Sequence, residues 1–142
     1  MTELNRLRVA VGIALVCFAG CTGTPHEARL PVEGKVTLGD KPLTTGTVIL
    51  RPDAAKGNDS QHEPRGKIDA EGRYQIETAL QKGAPPGWYK VAVMAFEPTD
   101  PKAYTAPMSL IPTKYNDPEQ SGFSFEVTRN PGPGAYDLKL AH

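Results

Sequence analysis

Cysteine is nearly absent from this chain of 142 residues: there are two, Cys17 and Cys21, and none follows. A disulfide framework is therefore excluded beyond residue 21, and stability there has to come from a packed core. An excess of charge of one sign is lacking too. Sixteen basic and sixteen acidic residues balance, and from Cys21 onward the count is 14 against 15. Such a chain has no electrostatic footprint for nucleic acid, and steering by phosphate or anionic lipid is not its main means of attraction.

Catalytic signatures are missing as well. The three histidines, His26, His62 and His142, lie in polar stretches, and no H-x-x-H, H-E-x-x-H or Cys/His spacing joins them. There is no G-x-S-x-G elbow, P-loop or dinucleotide fingerprint. Asp69-Ala70-Glu71-Gly72 offers two carboxylates in a glycine turn, where a calcium loop brings about five or more oxygen ligands. It reads as a plain hairpin turn. The expectation is a protein that is not an enzyme, with no cofactor and no metal.

What is present begins with an address. Arg6 and Arg8 precede an apolar run from Val9 to Phe18. Ten residues of helix reach about 15 Å, half of a hydrocarbon core of roughly 30 Å. The run is too short to span and has the layout of a secretory signal. Phe18-Ala19-Gly20-Cys21 follows, with small residues directly before a cysteine. This resembles the lipobox of bacterial lipoproteins. The resemblance implies cleavage between Gly20 and Cys21, acylation of Cys21, and a location in the cell envelope held by lipid. Two chains suffice for stable anchoring, at about 0.8 kcal/mol per buried methylene. Thr22, in place of Asp, implies the outer membrane by the sorting rule of that family. The expected organisation is a signal peptide over 1–20, an acylated cysteine with a flexible tether over 21–30, and one domain over 31–142.

Gly and Pro number 14 each, which favours short strands and turns. Alternation from residue 31 predicts strands with Val32, Val36 and Leu38 on one face, then Thr47 to Leu50. A polar loop over 53–66 follows, then a strand beginning over Lys67 to Asp69. EGRYQIET, with Tyr74, Ile76 and Thr78 on one face, is expected to pair across QKGAPPG with WYKVAVMAF. In that run Tyr89, Val91, Val93 and Ala95 face one way and Trp88, Lys90, Ala92, Met94 and Phe96 the other. Both sets are largely apolar, so this strand is expected to be central and covered in part on both sides. Residues 97–121 hold five prolines and read as a long excursion. Phe123, Phe125 and Val127, then Tyr136, Leu138 and Leu140, complete the alternation. The sum is an all-β fold, a small antiparallel sandwich of about seven strands.

Val32-x-Gly34-x-Val36, then Asp69-x-x-Gly72-x-Tyr74-x-Ile76, then Pro86-Gly87-x-Tyr89-x-Val91-x-Val93 resemble the carboxypeptidase-regulatory-like, transthyretin-like (prealbumin-like) domain. The later IPTKYND and SGFSFEV resemble bacterial lipoproteins in which this domain is the whole mature chain. The resemblance covers residues 31–140 and implies a transthyretin-like or Ig-like sandwich. It carries no chemistry: the zinc-binding half of carboxypeptidases is absent. The chain ends YDLKLAH, not in the Tyr-Arg-Gly-Ser of hydroxyisourate hydrolases that share the fold.

The function expected is a lipid-anchored structural or protein-interaction module. Its partners are the membrane and a surface protein or polysaccharide. The alternative is a carbohydrate-binding module, with Trp88, Tyr104 and Tyr115 as candidate ligand contacts.

Overall fold

The computed structural model describes residues 28–102 and 105–142. The expected signal segment, Cys21, His26, most of the expected tether and Tyr104 lie outside the described residues. Ten strands form among the described residues: β1 (Glu33–Leu38), β2 (Lys41–Pro42), β3 (Thr47–Pro52), β4 (Arg65–Lys67), β5 (Arg73–Gln75), β6 (Glu77–Thr78), β7 (Gln81–Lys82), β8 (Gly87–Met94), β9 (Phe123–Val127) and β10 (Leu138–Leu140). Seven of these have three residues or more, the number expected. The larger sheet runs β7-β6-β4-β3-β8-β9 and is antiparallel throughout. The smaller one is built on β1, which pairs with β5 over Glu33–Lys35, with β2 over Thr37–Leu38 and with β10 over Val36–Leu38. The β1–β10 pair is parallel, a departure from the all-antiparallel expectation.

The alternating residues of both sheets meet between them. Val36, Val48, Leu50, Ile76, Tyr89, Val91, Val93 and Leu138 are all buried in one cluster. Strand β8 sits between β3 and β9 and is central as its two apolar faces require. Strand β3 runs two residues beyond Leu50, with Arg51 and Pro52 opposite Lys90 and Tyr89. Proline is tolerated there because its nitrogen faces away from β8, on the side where β4 pairs only with Thr47–Ile49 and no described strand asks for the missing N–H. The polar loop that follows ends at Pro64, since Arg65 and Gly66 already belong to β4. An amide secures that loop: Asn58 Nδ2 donates to the Trp88 carbonyl at 2.8 Å.

The expected hairpin between EGRYQIET and WYKVAVMAF does not exist. Residues 73–78 change sheets instead. β5 pairs with β1, and two residues later β6 pairs with β4 and β7. Ile76 is the crossing point. Its N–H donates to the Val32 carbonyl, and its carbonyl accepts from Gly83 N–H. Tyr74, Ile76 and Thr78 all still point inward. The chain then reverses through Ala79 and Leu80, both at positive φ (48° and 65°), and β8 joins β3 and β9.

Gly34, Tyr74 and Tyr136 form one joint. The Tyr74 hydroxyl crosses the interior to donate to the Tyr136 carbonyl. Gly34 lies beneath that contact, where a Cβ would fall 2.3 Å from the Tyr136 oxygen and 2.9 Å from the Tyr74 ring. Burial raises the Tyr74 hydroxyl's pKa well above the usual tyrosine value, so it remains a donor.

The excursion over 97–121 closes the sandwich. Phe96 bridges to Ser109, and Ile111 and Tyr115 enter the core. Tyr115 stacks on Phe123 with ring centroids 5.5 Å apart, and its hydroxyl accepts from Ala141 N–H at 2.9 Å. Ser121 ties the same segment to the Val91 carbonyl.

Candidate functional site

The outer face of the larger sheet carries the exposed apolar surface that strand β8 foretells. Alternation sends Trp88, Lys90, Ala92 and Met94 outward, with Phe96 just past the strand's end. At the lower end of this row the side chains cover one another. Lys56 Nζ sits 3.8 Å above the Trp88 ring, and Lys90 Nζ bonds Glu119 at 2.6 Å. The Glu119 hydrogen bond raises the Lys90 pKa, keeping the ammonium charged. Ala92 opposite Ile49 is nearly closed off by its neighbours.

The upper end is open. Met94 is 37 % and Phe96 40 % exposed. With Ile49 and Thr47 they floor a hollow of 430 Å³ whose rim is Arg65 and Lys67. Strand register builds it: Thr47 stands opposite both Met94 and Lys67, and Ile49 opposite Arg65. Arg65 has one loose ion pair, with Glu63 at 3.4 Å, and Lys67 has none among the described residues. An apolar floor under two under-used cations is complementary to a protein segment that presents an apolar side chain beside carboxylates.

A second hollow, of 360 Å³, lies around Arg65, Asp69, Arg73 and Glu77, and within it Asp69 and Arg73 are engaged with each other. Asp69 Oδ1 accepts from the N–H groups of Arg73 and Glu71, and Oδ2 meets the Arg73 guanidinium at 3.1 Å. The Arg73 N–H bond, ahead of the other causes, holds the Asp69 carboxyl below its usual pKa. The Asp69–Gly72 stretch is a self-capped turn, closed by Gly72 N–H donating to the Asp69 carbonyl. No group of three His, Cys, Asp or Glu that could hold a metal occurs among the described residues.

Two of the three aromatic contacts anticipated from sequence, Trp88 and Tyr115, lie among the described residues. Tyr115 is 4 % exposed and offers no ring face to a ligand, because Phe123 and Lys114 occupy its surroundings. Trp88 is half-buried with one face under Lys56. Tyr104 lies outside the described residues. His62 and His142 are exposed and far apart in the sheet order, one in the 53–64 loop and the other beside Gly39 at the end of β1. Met94 and Phe96 were readable as an outward apolar set. The convergence of Arg65 and Lys67 on them was not, because it depends on which strand lies beside β3. Among the described residues no helix is long and apolar enough to cross a membrane, which says nothing of strands.

Compared with family models, curated proteins and solved structures, the chain matches none.

Proposed function

We propose that this chain is a lipid-anchored, non-enzymatic β-sandwich of the cell envelope that acts as a structural or protein-interaction module. The observation that carries this reading is the open hollow at Ile49, Met94 and Phe96 beside Lys67 and Arg65. Its partner is a protein segment with an acidic rim. The polar side chains of the interior support the same reading, since they hold backbone rather than converge on a cavity. Tyr89 donates to the Pro85 carbonyl, Thr78 to Gly83 and Ser121 to Val91. Two residues of the motifs that resemble transthyretin-like domains, Gly34 and Tyr74, meet in one packing joint with Tyr136, which supports kinship with such domains. Anchoring rests on Phe18-Ala19-Gly20-Cys21 at the end of a short apolar run.

Two experiments test the parts separately. Cys21→Ser is expected to move the protein from the detergent phase to the aqueous phase on Triton X-114 partitioning. Unchanged partitioning would refute acylation. For the contact face, cross-linking in intact membranes is expected to yield one defined adduct with the wild type. Lys67→Glu combined with Phe96→Glu should abolish it while leaving the melting temperature within a few degrees, since both are surface positions. An adduct of unchanged yield in that variant would remove this face from consideration.

A further inference from the structure

Leu80 is 95 % exposed, the most exposed large apolar side chain among the described residues. It stands at the tip of the β6–β7 hairpin, in a two-residue turn whose central residues, Ala79 and Leu80, both have positive φ. Turns of this kind favour Asn-Gly, because a side chain with a Cβ is disfavoured in the left-handed region. The chain thus holds a leucine at a position that suits it poorly for folding and leaves it bare of packing among the described residues.

The same hairpin is where the domain's N-terminal segment is fastened. Leu30 and Ala84 exchange both backbone hydrogen bonds, at 2.8 and 3.0 Å. Arg29 Nη1 also donates to the Gln81 side chain, next to the tip. Leu80 and Ala84 are four residue steps apart, so the tip is within about 20 Å of Leu30, counting one strand spacing. Nine residues back from Leu30 reach Cys21, a span of up to about 31 Å. A surface holding Cys21 is therefore within reach of the tip. The charged groups around the tip nearly balance. Arg29 and Lys82 flank it, and Glu63, Arg65 and Glu77 line the hollow beneath. Contact there would come from apolar area and would not require anionic lipid.

We propose that Leu80 is a lipid-contact residue, inserted into the headgroup and acyl boundary of the bilayer that holds Cys21, so that the domain has a fixed tilt on the membrane. This rests on the anchoring reading given above. The contact orients a protein already anchored; one leucine is not a membrane anchor by itself.

The test uses the full mature lipoprotein in phosphatidylcholine vesicles, with Leu80→Cys labelled by a nitrobenzoxadiazole dye. Ser124→Cys, exposed on the opposite edge strand of the larger sheet, is the control. Acylated Cys21 has no free thiol, so each variant should take one dye per chain by mass. The expected result is a shift to shorter wavelength and several-fold stronger quenching by nitroxide-labelled lipid at position 80, with aqueous emission at 124. A dye seeking lipid on its own would shift at both positions and would overturn the inference, as would aqueous emission at 80. Two dyes per chain would show Cys21 free, overturning the anchoring reading and this inference with it. Where Leu80→Cys fails to fold, Gln81→Cys keeps the leucine and reports the same depth. Adding Leu80→Asp to Gln81→Cys should abolish the shift, and a shift that survives would overturn the inference.

Discussion

Val91→Asp is expected to leave no folded domain at neutral pH. Val91 is fully buried at the centre of β8, with Leu50 opposite on β3 and Phe123 opposite on β9. Its side chain joins the inward row with Tyr89 and Val93, where the neighbours are apolar. A carboxylate there loses its hydration without gaining a cation, a penalty of several kcal/mol per ion even after relaxation. The lost valine packing adds about 2 kcal/mol. Small domains are stable by only about 5–15 kcal/mol in total. The check is a far-UV circular dichroism melt beside Val91→Ala, which should remain folded with a lowered midpoint. A monodisperse Val91→Asp protein with a cooperative melt would show that the inward face of β8 is wrongly assigned.

Gly34→Ala should be strongly destabilising for a change of a single methyl. The backbone at Gly34 is not in the left-handed region, so the demand is for space. A Cβ there would sit 2.3 Å from the Tyr136 carbonyl oxygen and 2.9 Å from Tyr74 Cε1. Neither neighbour can retreat freely. The carbonyl receives the Tyr74 hydroxyl, and Asp137, the next residue, is pinned by its own bond from Lys35 N–H at 2.9 Å. Overpacking of this kind costs about 3 kcal/mol. The denaturant midpoint should fall with an unchanged slope. Tyr74→Phe alone should lose about 1 kcal/mol, the net worth of one hydrogen bond. The two losses should add to less than their sum, because both disturb one contact. A Gly34→Ala loss below about 1 kcal/mol would mean that the joint yields without strain.

The sequence-based reading succeeded where a side chain's direction follows from its own strand. Tyr89, Val91, Val93 and Ala95 are inward as their alternation demands, and Met94 and Phe96 are outward and partly bare. It failed where the question was which strand lies alongside. EGRYQIET keeps one inward row, Tyr74, Ile76 and Thr78, while passing from one sheet to the other. In a sandwich the interior is the same for both sheets, so changing sheets leaves the alternation undisturbed and leaves no mark in the pattern. The candidate contact face was half legible for the same reason. Its apolar floor takes Met94 from the end of β8, Phe96 from just beyond it and Ile49 from β3, and Arg65 and Lys67 reach it only through the β3–β4 register. Ile111 and Tyr115 were hidden by the prolines around them. They fill the core from a segment whose one regular turn is the 3-10 helix Thr113–Asn116, secured by the bond from Ala141 N–H to the Tyr115 hydroxyl.

The parallel pairing of β1 with β10 has a mechanical consequence. These strands lie near the two ends of the domain and run in the same direction, with Val36 beside Leu138 and Leu38 beside Leu140. Tension applied between the N-terminal side and the C-terminus would slide one strand along the other. Their hydrogen bonds would then bear the load together, as a clamp in shear, instead of parting one after another like a zip.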